Sequence, residues 1–96
     1  MKPKIVLIAD DSPTVVKMLT YMLSTLPCEV ISASDGVEAI TLCYSAHPDL
    51  ILLDILMPRM NGYQVCRLLK DDAQTKHIPI IMLLSLIHIS EPTRPY

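Results

Sequence analysis

Two short apolar runs, each closed by acid, constrain this chain more than any other feature. "KIVLIADD" runs from Lys4 to Asp11 and "DLILLD" from Asp49 to Asp54. Runs of four or five apolar residues with no polar alternate suit strands buried on both faces, as in a parallel sheet. A strand with one wet face would alternate apolar and polar residues instead. Glu29–Ser34 and Ile78–Leu84 read as the second and fourth strands.

Helical spacing fills the gaps between them. Ser12 suits a helix N-cap and Pro13 its first turn. Val16, Leu19, Leu23 and Leu26 then recur at three- and four-residue steps, which predicts one buried face up to the stop at Pro27. After an Asp35-Gly36 turn, a second helix is predicted over Val37–Ala46, with Val37, Ile40 and Tyr44 on one face and His47-Pro48 as its end. A third is predicted over Gly62–Asp71, with Val65, Leu68 and Leu69 inward. The order β-α-β-α-β-α-β makes this an α/β chain with right-handed crossovers and a parallel sheet covered on both sides.

Size and composition fit one such domain. With 96 residues, 51% of them hydrophobic and 19% charged, the chain has room for a single core and is not of disordered type. A net charge of −2 gives no footprint for nucleic acid or an anionic membrane surface. No apolar run reaches the ~18 residues of a membrane span, and the N-terminal run is too short for a signal peptide. Cys28, Cys43 and Cys66 are odd in number and lack CxxC spacing, which suits free thiols in a reducing compartment. The expected setting is the cytoplasm. His47 and His77 read as surface imidazoles, Lys17 and Lys70 as solvated helix positions, and Met18, Met22, Met60 and Met82 as core or loop filler.

Asp10, Asp11 and Asp54 carry the chemistry. In parallel α/β sheets functional groups gather at the carboxyl ends of the strands, and these acids stand at two such ends. Each alone reads as a strand reaching water, or as an acid placed near a helix N-terminus by the dipole. Together, on neighbouring strands, they form a crowded cluster that a hard divalent cation would neutralise, and carboxylate oxygens with water suit Mg2+.

These residues also carry a resemblance. "ADDSPT", "DLILLDILMPRMNG" and "HIPIIML" are similar to the receiver domain of bacterial two-component response regulators. The resemblance covers Lys4 to about Leu83, and the loop D-x-x-M-P-x-x-x-G after an apolar strand is its most specific part. It implies a flavodoxin-like, doubly wound parallel sheet, ordered 2-1-3-4 here. It implies a regulatory phosphoacceptor domain rather than an enzyme, with Asp54 taking a phosphoryl group from a sensor histidine kinase or a phosphotransfer protein. Asp11 would ligate Mg2+ directly, Asp10 mainly through water, and Asp54 and the backbone carbonyl of Leu56 would complete the protein ligands. Direct contact with nucleic acid or membrane is not implied. Two other readings stay open: a pseudo-receiver that binds partners without phosphorylation, and a small Mg2+ phosphatase. The phosphatase needs a second acid two residues after its nucleophile, where Leu56 stands.

The resemblance ends where the fourth strand should carry a Ser or Thr that engages the phosphoryl group. That position falls on Leu84, and Ser85 is one residue late, facing the opposite side of a strand. The family's fifth β-α unit, with its aromatic and Lys, has no counterpart. "LSLIHISEPTR", Leu84–Arg94, instead resembles the translation of a transposon-end adapter used in sequencing libraries. The expected organisation is therefore a partial receiver domain over 1–83 and a non-native tail over 84–96. A genomic read through codon 83 should diverge from this tail; finding the same codons there would overturn that expectation.

Overall fold

The computed structural model describes residues 2–83; Leu84, Ser85 and the rest of the tail lie outside the described residues. Four strands alternate with three helices among those described: β1 (Lys4–Ala9), α1 (Pro13–Leu23), β2 (Cys28–Ala33), α2 (Gly36–Ala46), β3 (Leu50–Asp54), α3 (Gly62–Asp71) and β4 (Ile80–Leu83). The strands form one parallel sheet in the order β2-β1-β3-β4. This is the expected α/β architecture and strand order.

The period of two along each strand divides the core between two faces. Leu7, Ala9, Ile51 and Leu53 pack with Ala39 and Cys43 of α2 and Val65 and Leu69 of α3. Val6, Ile8 and Leu52 turn the other way, toward Val16, Leu19 and Leu23 of α1. Apolar residues on both sides of β1 and β3 are the reason those runs carry no polar alternate.

Helix boundaries follow local chemistry. Ser12 caps α1 through its hydroxyl, which accepts from the Val15 amide at 3.3 Å. Asn61 and Gln64 form a reciprocal capping box at the start of α3, with bonds of 2.9 and 3.0 Å. Asp35 is the N-cap of α2 rather than a turn residue, accepting from the Glu38 amide at 2.8 Å, and Gly36 is the first helical residue. His47 closes α2 in the left-handed region, with φ 51°, ahead of Pro48.

Several inward assignments are corrected. Leu26 is 55% exposed because α1 ends at Leu23, with the Ser24 amide and hydroxyl both bonded to the Tyr21 carbonyl; Val15 is the residue that α1 buries. In α2 the buried positions are Gly36, Ala39 and Cys43, one step away from Val37 and Tyr44, which are exposed. At Gly36 there is no room for a β-carbon, which would meet Met60 and stand 3.0 Å from Val65 Cγ2 of α3. Leu68 is likewise exposed beside fully buried Val65 and Leu69, and Met22 is solvent-facing rather than filler. Lys70 is exposed but not merely solvated: its Nζ donates to the carbonyls of Lys76 at 3.0 Å and Ile78 at 2.7 Å. With the buried Thr75 hydroxyl on the Leu69 carbonyl, it fixes the entry to β4. The Tyr44 hydroxyl donates to Asp72 and holds that carboxyl below its ordinary range.

All three cysteines are free, and burial pushes the Cys43 thiol up to about 11. The thiolate is the reactive form. Iodoacetamide at neutral pH should therefore alkylate the half-buried Cys28 and Cys66 well before Cys43, as read by peptide mass mapping. Equal rates at all three would mean that α2 does not seal this position.

Candidate functional site

Register brings the acids together. Ala9 of β1 pairs with Leu53 of β3, so the residues that follow, Asp10 and Asp54, stand at the same level at the sheet edge, with Asp54 still paired to Leu83 of β4. One carboxylate oxygen from each of Asp10, Asp11 and Asp54 lies within 4.8 Å of the others. Asp54 is fully buried and Asp10 is 2% exposed, whereas Asp11 faces solvent. The cluster thus has a floor of two buried acids and a wet rim.

Its backbone is fixed on several sides. The Asp10 amide donates to the Ala33 carbonyl at 3.0 Å, tying this end of β1 to β2. Asp10 Oδ1 accepts the Ser12 amide at 2.9 Å, just before the N-terminus of α1, whose dipole favours negative charge. Asp54 Oδ1 lies 3.4 Å from the Leu56 amide, so the backbone two residues on runs beside the carboxylate. The Ile55 amide donates to Leu83 of β4 at 3.1 Å. An open cleft of about 350 Å3 adjoins the cluster, lined by Asp10, Asp11, Lys17 and Ser34 among others.

The loop from β3 to α3 is shaped by its anchors. Met57 is buried in the core, and Gly62 lies against the Asp54 carbonyl and the Ile55 backbone. A β-carbon at Gly62 would stand 2.9 Å from Ile55 Cα, so only glycine fits. The sequence pointed to Met57, Pro58 and Gly62 as loop-shaping residues. It missed Arg59, which has φ 69° and makes an ion pair of 3.5 Å with Asp35. It also missed Gly36, where a β-carbon would stand 2.6 Å from Met60 Cβ. The one available signal was Asp35-Gly36, which reads as a turn.

The donor set fits a hard cation. Opposite oxygens around Mg2+ at ~2.1 Å are ~4.2 Å apart. A group of carboxylate oxygens no more than 4.8 Å wide needs little contraction to enclose such an ion. Among the described residues no sulfur or imidazole ligand joins the cluster.

Known proteins resemble this chain in sequence and in fold. Residues 6–92 match the family model for the response regulator receiver domain. The chain is 41% identical over 80 residues to Protein PilG of Pseudomonas aeruginosa, covering 83% of this chain and 59% of PilG. It is similar in structure to the N-terminal domain of a response regulator receiver protein from Methanoculleus marisnigri, with a TM-score of 0.80 and 34% identity, over 95% of this chain and 70% of that one. The Mn2+-bound form of response regulator Rcp1 gives a TM-score of 0.79 and 28% identity, over 85% of this chain and 66% of that one. The register that levels Asp10 with Asp54 is thus set in a shared fold and a shared sequence, and the chain belongs to the response regulator receiver domain family.

Proposed function

We propose that this chain is a phosphoacceptor in two-component signalling and that Asp54 is the residue phosphorylated. The observation that carries the reading is the convergence of three carboxylates from two neighbouring strand ends, with Asp54 wholly buried at their base. Asp54 would attack phosphorus through a carboxylate oxygen. The bond from phosphorus to a histidine nitrogen of the donor breaks, its electron pair stays on the imidazole, and an acyl phosphate forms on Asp54. Burial keeps that carboxylate poorly solvated, and β3 holds it in line. The donor class, a sensor histidine kinase or phosphotransfer protein, follows from the family.

Asp11, Asp10, Asp54 and the Leu56 carbonyl are the groups proposed to hold Mg2+, with Asp10 acting mainly through water. Bound there, the cation would neutralise charge on the transferring phosphoryl oxygens. A Mn2+-bound form of a relative with the same fold supports divalent-cation binding by this chain. The alternatives are not favoured. A phosphatase of the kind considered lacks its second acid, because Leu56 stands there with its side chain 52% exposed. A pseudo-receiver would have no need of the complete acid set.

The test is incubation with Mg2+ and acetyl phosphate, followed by intact-mass measurement and peptide mapping. One phosphoryl group on the peptide containing Asp54, absent without the cation, is the expected result. Labelling elsewhere would overturn the assignment.

A further inference from the structure

The loop that follows Asp54 is tied to a helix that contributes nothing else to the acid cluster. Arg59 Nη1 sits 3.5 Å from Asp35 Oδ2, while the other oxygen of the same carboxylate caps α2 through the Glu38 amide. Asp35 is mostly buried, with 17% of its side chain exposed. Gly36, the next residue, lies against Met60, the residue after Arg59. Arg59 itself is in the left-handed region, at φ 69°. A non-glycine residue holds that conformation only where its surroundings over-determine it. Leu56, three residues before Arg59, runs beside the Asp54 carboxylate.

We propose that the Asp35–Arg59 ion pair is a positioning contact: it makes the start of α2 hold the β3–α3 loop so that the Leu56 backbone stays in place beside Asp54. The inference rests on the reading that Asp10, Asp11, Asp54 and the Leu56 carbonyl hold Mg2+. It assigns Arg59 and Asp35 a role in metal affinity although neither reaches the cluster.

Two substitutions separate positioning from the field of the charges. Arg59→Gln removes the positive charge, and Asp35→Asn removes the negative one while keeping an equally good helix cap. Through field alone, losing a positive charge tightens Mg2+ binding and losing a negative charge weakens it. A positioning contact weakens binding in both cases. Calorimetric titration of the full chain with Mg2+ is expected to show each variant weaker by about two- to fivefold, the range of a partly exposed ion pair. The double variant should be no weaker than either single one. Arg59→Lys should recover part of the loss, and metal-free melting should barely move. Opposite signs for the two single variants, or unchanged affinity in both while the wild type binds, would overturn the positioning contact alone. A wild-type chain that does not bind Mg2+ would overturn the metal reading, and this inference with it.

Discussion

Asp54→Asn is expected to abolish phosphoryl labelling and, in the absence of metal, to make the protein more stable. The first effect follows from chemistry. The carboxamide cannot form the acyl phosphate, so labelling by acetyl phosphate should fall by roughly 10³-fold or more. The second follows from the cluster. Like charges at ~4 Å repel by ~4 kcal/mol at an effective dielectric of 20, and here three carboxylates share a space 4.8 Å wide. The asparagine oxygen can still accept from the Leu56 amide. After screening and relaxation, a net gain on the order of 1–2 kcal/mol is expected. That corresponds to a melting temperature higher by about 5–10 °C for a domain of this size. Mg2+ should then invert the ranking. At a hundred times its dissociation constant a ligand adds ~2.7 kcal/mol to the state that binds it, and the variant lacks one of the carboxylates proposed to hold the ion. A metal-free Asp54→Asn protein that melts below wild type would show that the three acids do not strain one another.

Gly62→Ala should cost about 3 kcal/mol, the upper end of ordinary overpacking, and should impair labelling as well. Helix propensity alone argues the other way, since alanine gains up to ~1 kcal/mol over glycine within a helix. Geometry decides the sign. The new β-carbon would meet the Asp54 carbonyl and stand 2.9 Å from Ile55 Cα. Both are backbone atoms next to β3, and the Gly62 amide is itself bonded to the Ile55 carbonyl at 2.9 Å, so no flexible side chain can yield. Relief requires moving the peptide that carries Asp54. Urea unfolding gives the cost, and the initial rate of labelling gives the displacement of the site. A variant as stable as wild type would mean that α3 can slide outward freely.

The strands were legible because burial on both faces leaves a plain signature. The runs ending at Asp10 and Asp54 needed no knowledge of neighbours, and their shared level at the sheet edge followed from parallel pairing. The faces of α1 and α2 were not legible in the same way. Periodicity points to Val37 and Tyr44, but the residues α2 buries are Gly36, Ala39 and Cys43, which are too small to stand out in an apolar pattern. Leu26 was misassigned because Pro27 marked the stop too late; the backbone had already turned at Ser24. In the site, the three acids were visible as chemistry. Arg59 and Asp35 were not, because a contact between a loop and a helix cap depends on packing that no local spacing encodes.

The pairing of β1 also bears on when the site comes into being as the chain folds. On one flank β1 meets β2, close in sequence, with a single helix between them. On the other it meets β3: Ile5 and Asp49, 44 residues apart, exchange hydrogen bonds of 2.8 and 2.7 Å. The entropy of closing that longer loop must be met before Asp10 and Asp54 can approach each other. A folding chain can therefore complete its β1-α1-β2 unit with no acid cluster at all. The proposed affinity for a cation is expected to arise only when β3 docks against β1, so the time course of Mg2+ binding during refolding should report that docking event.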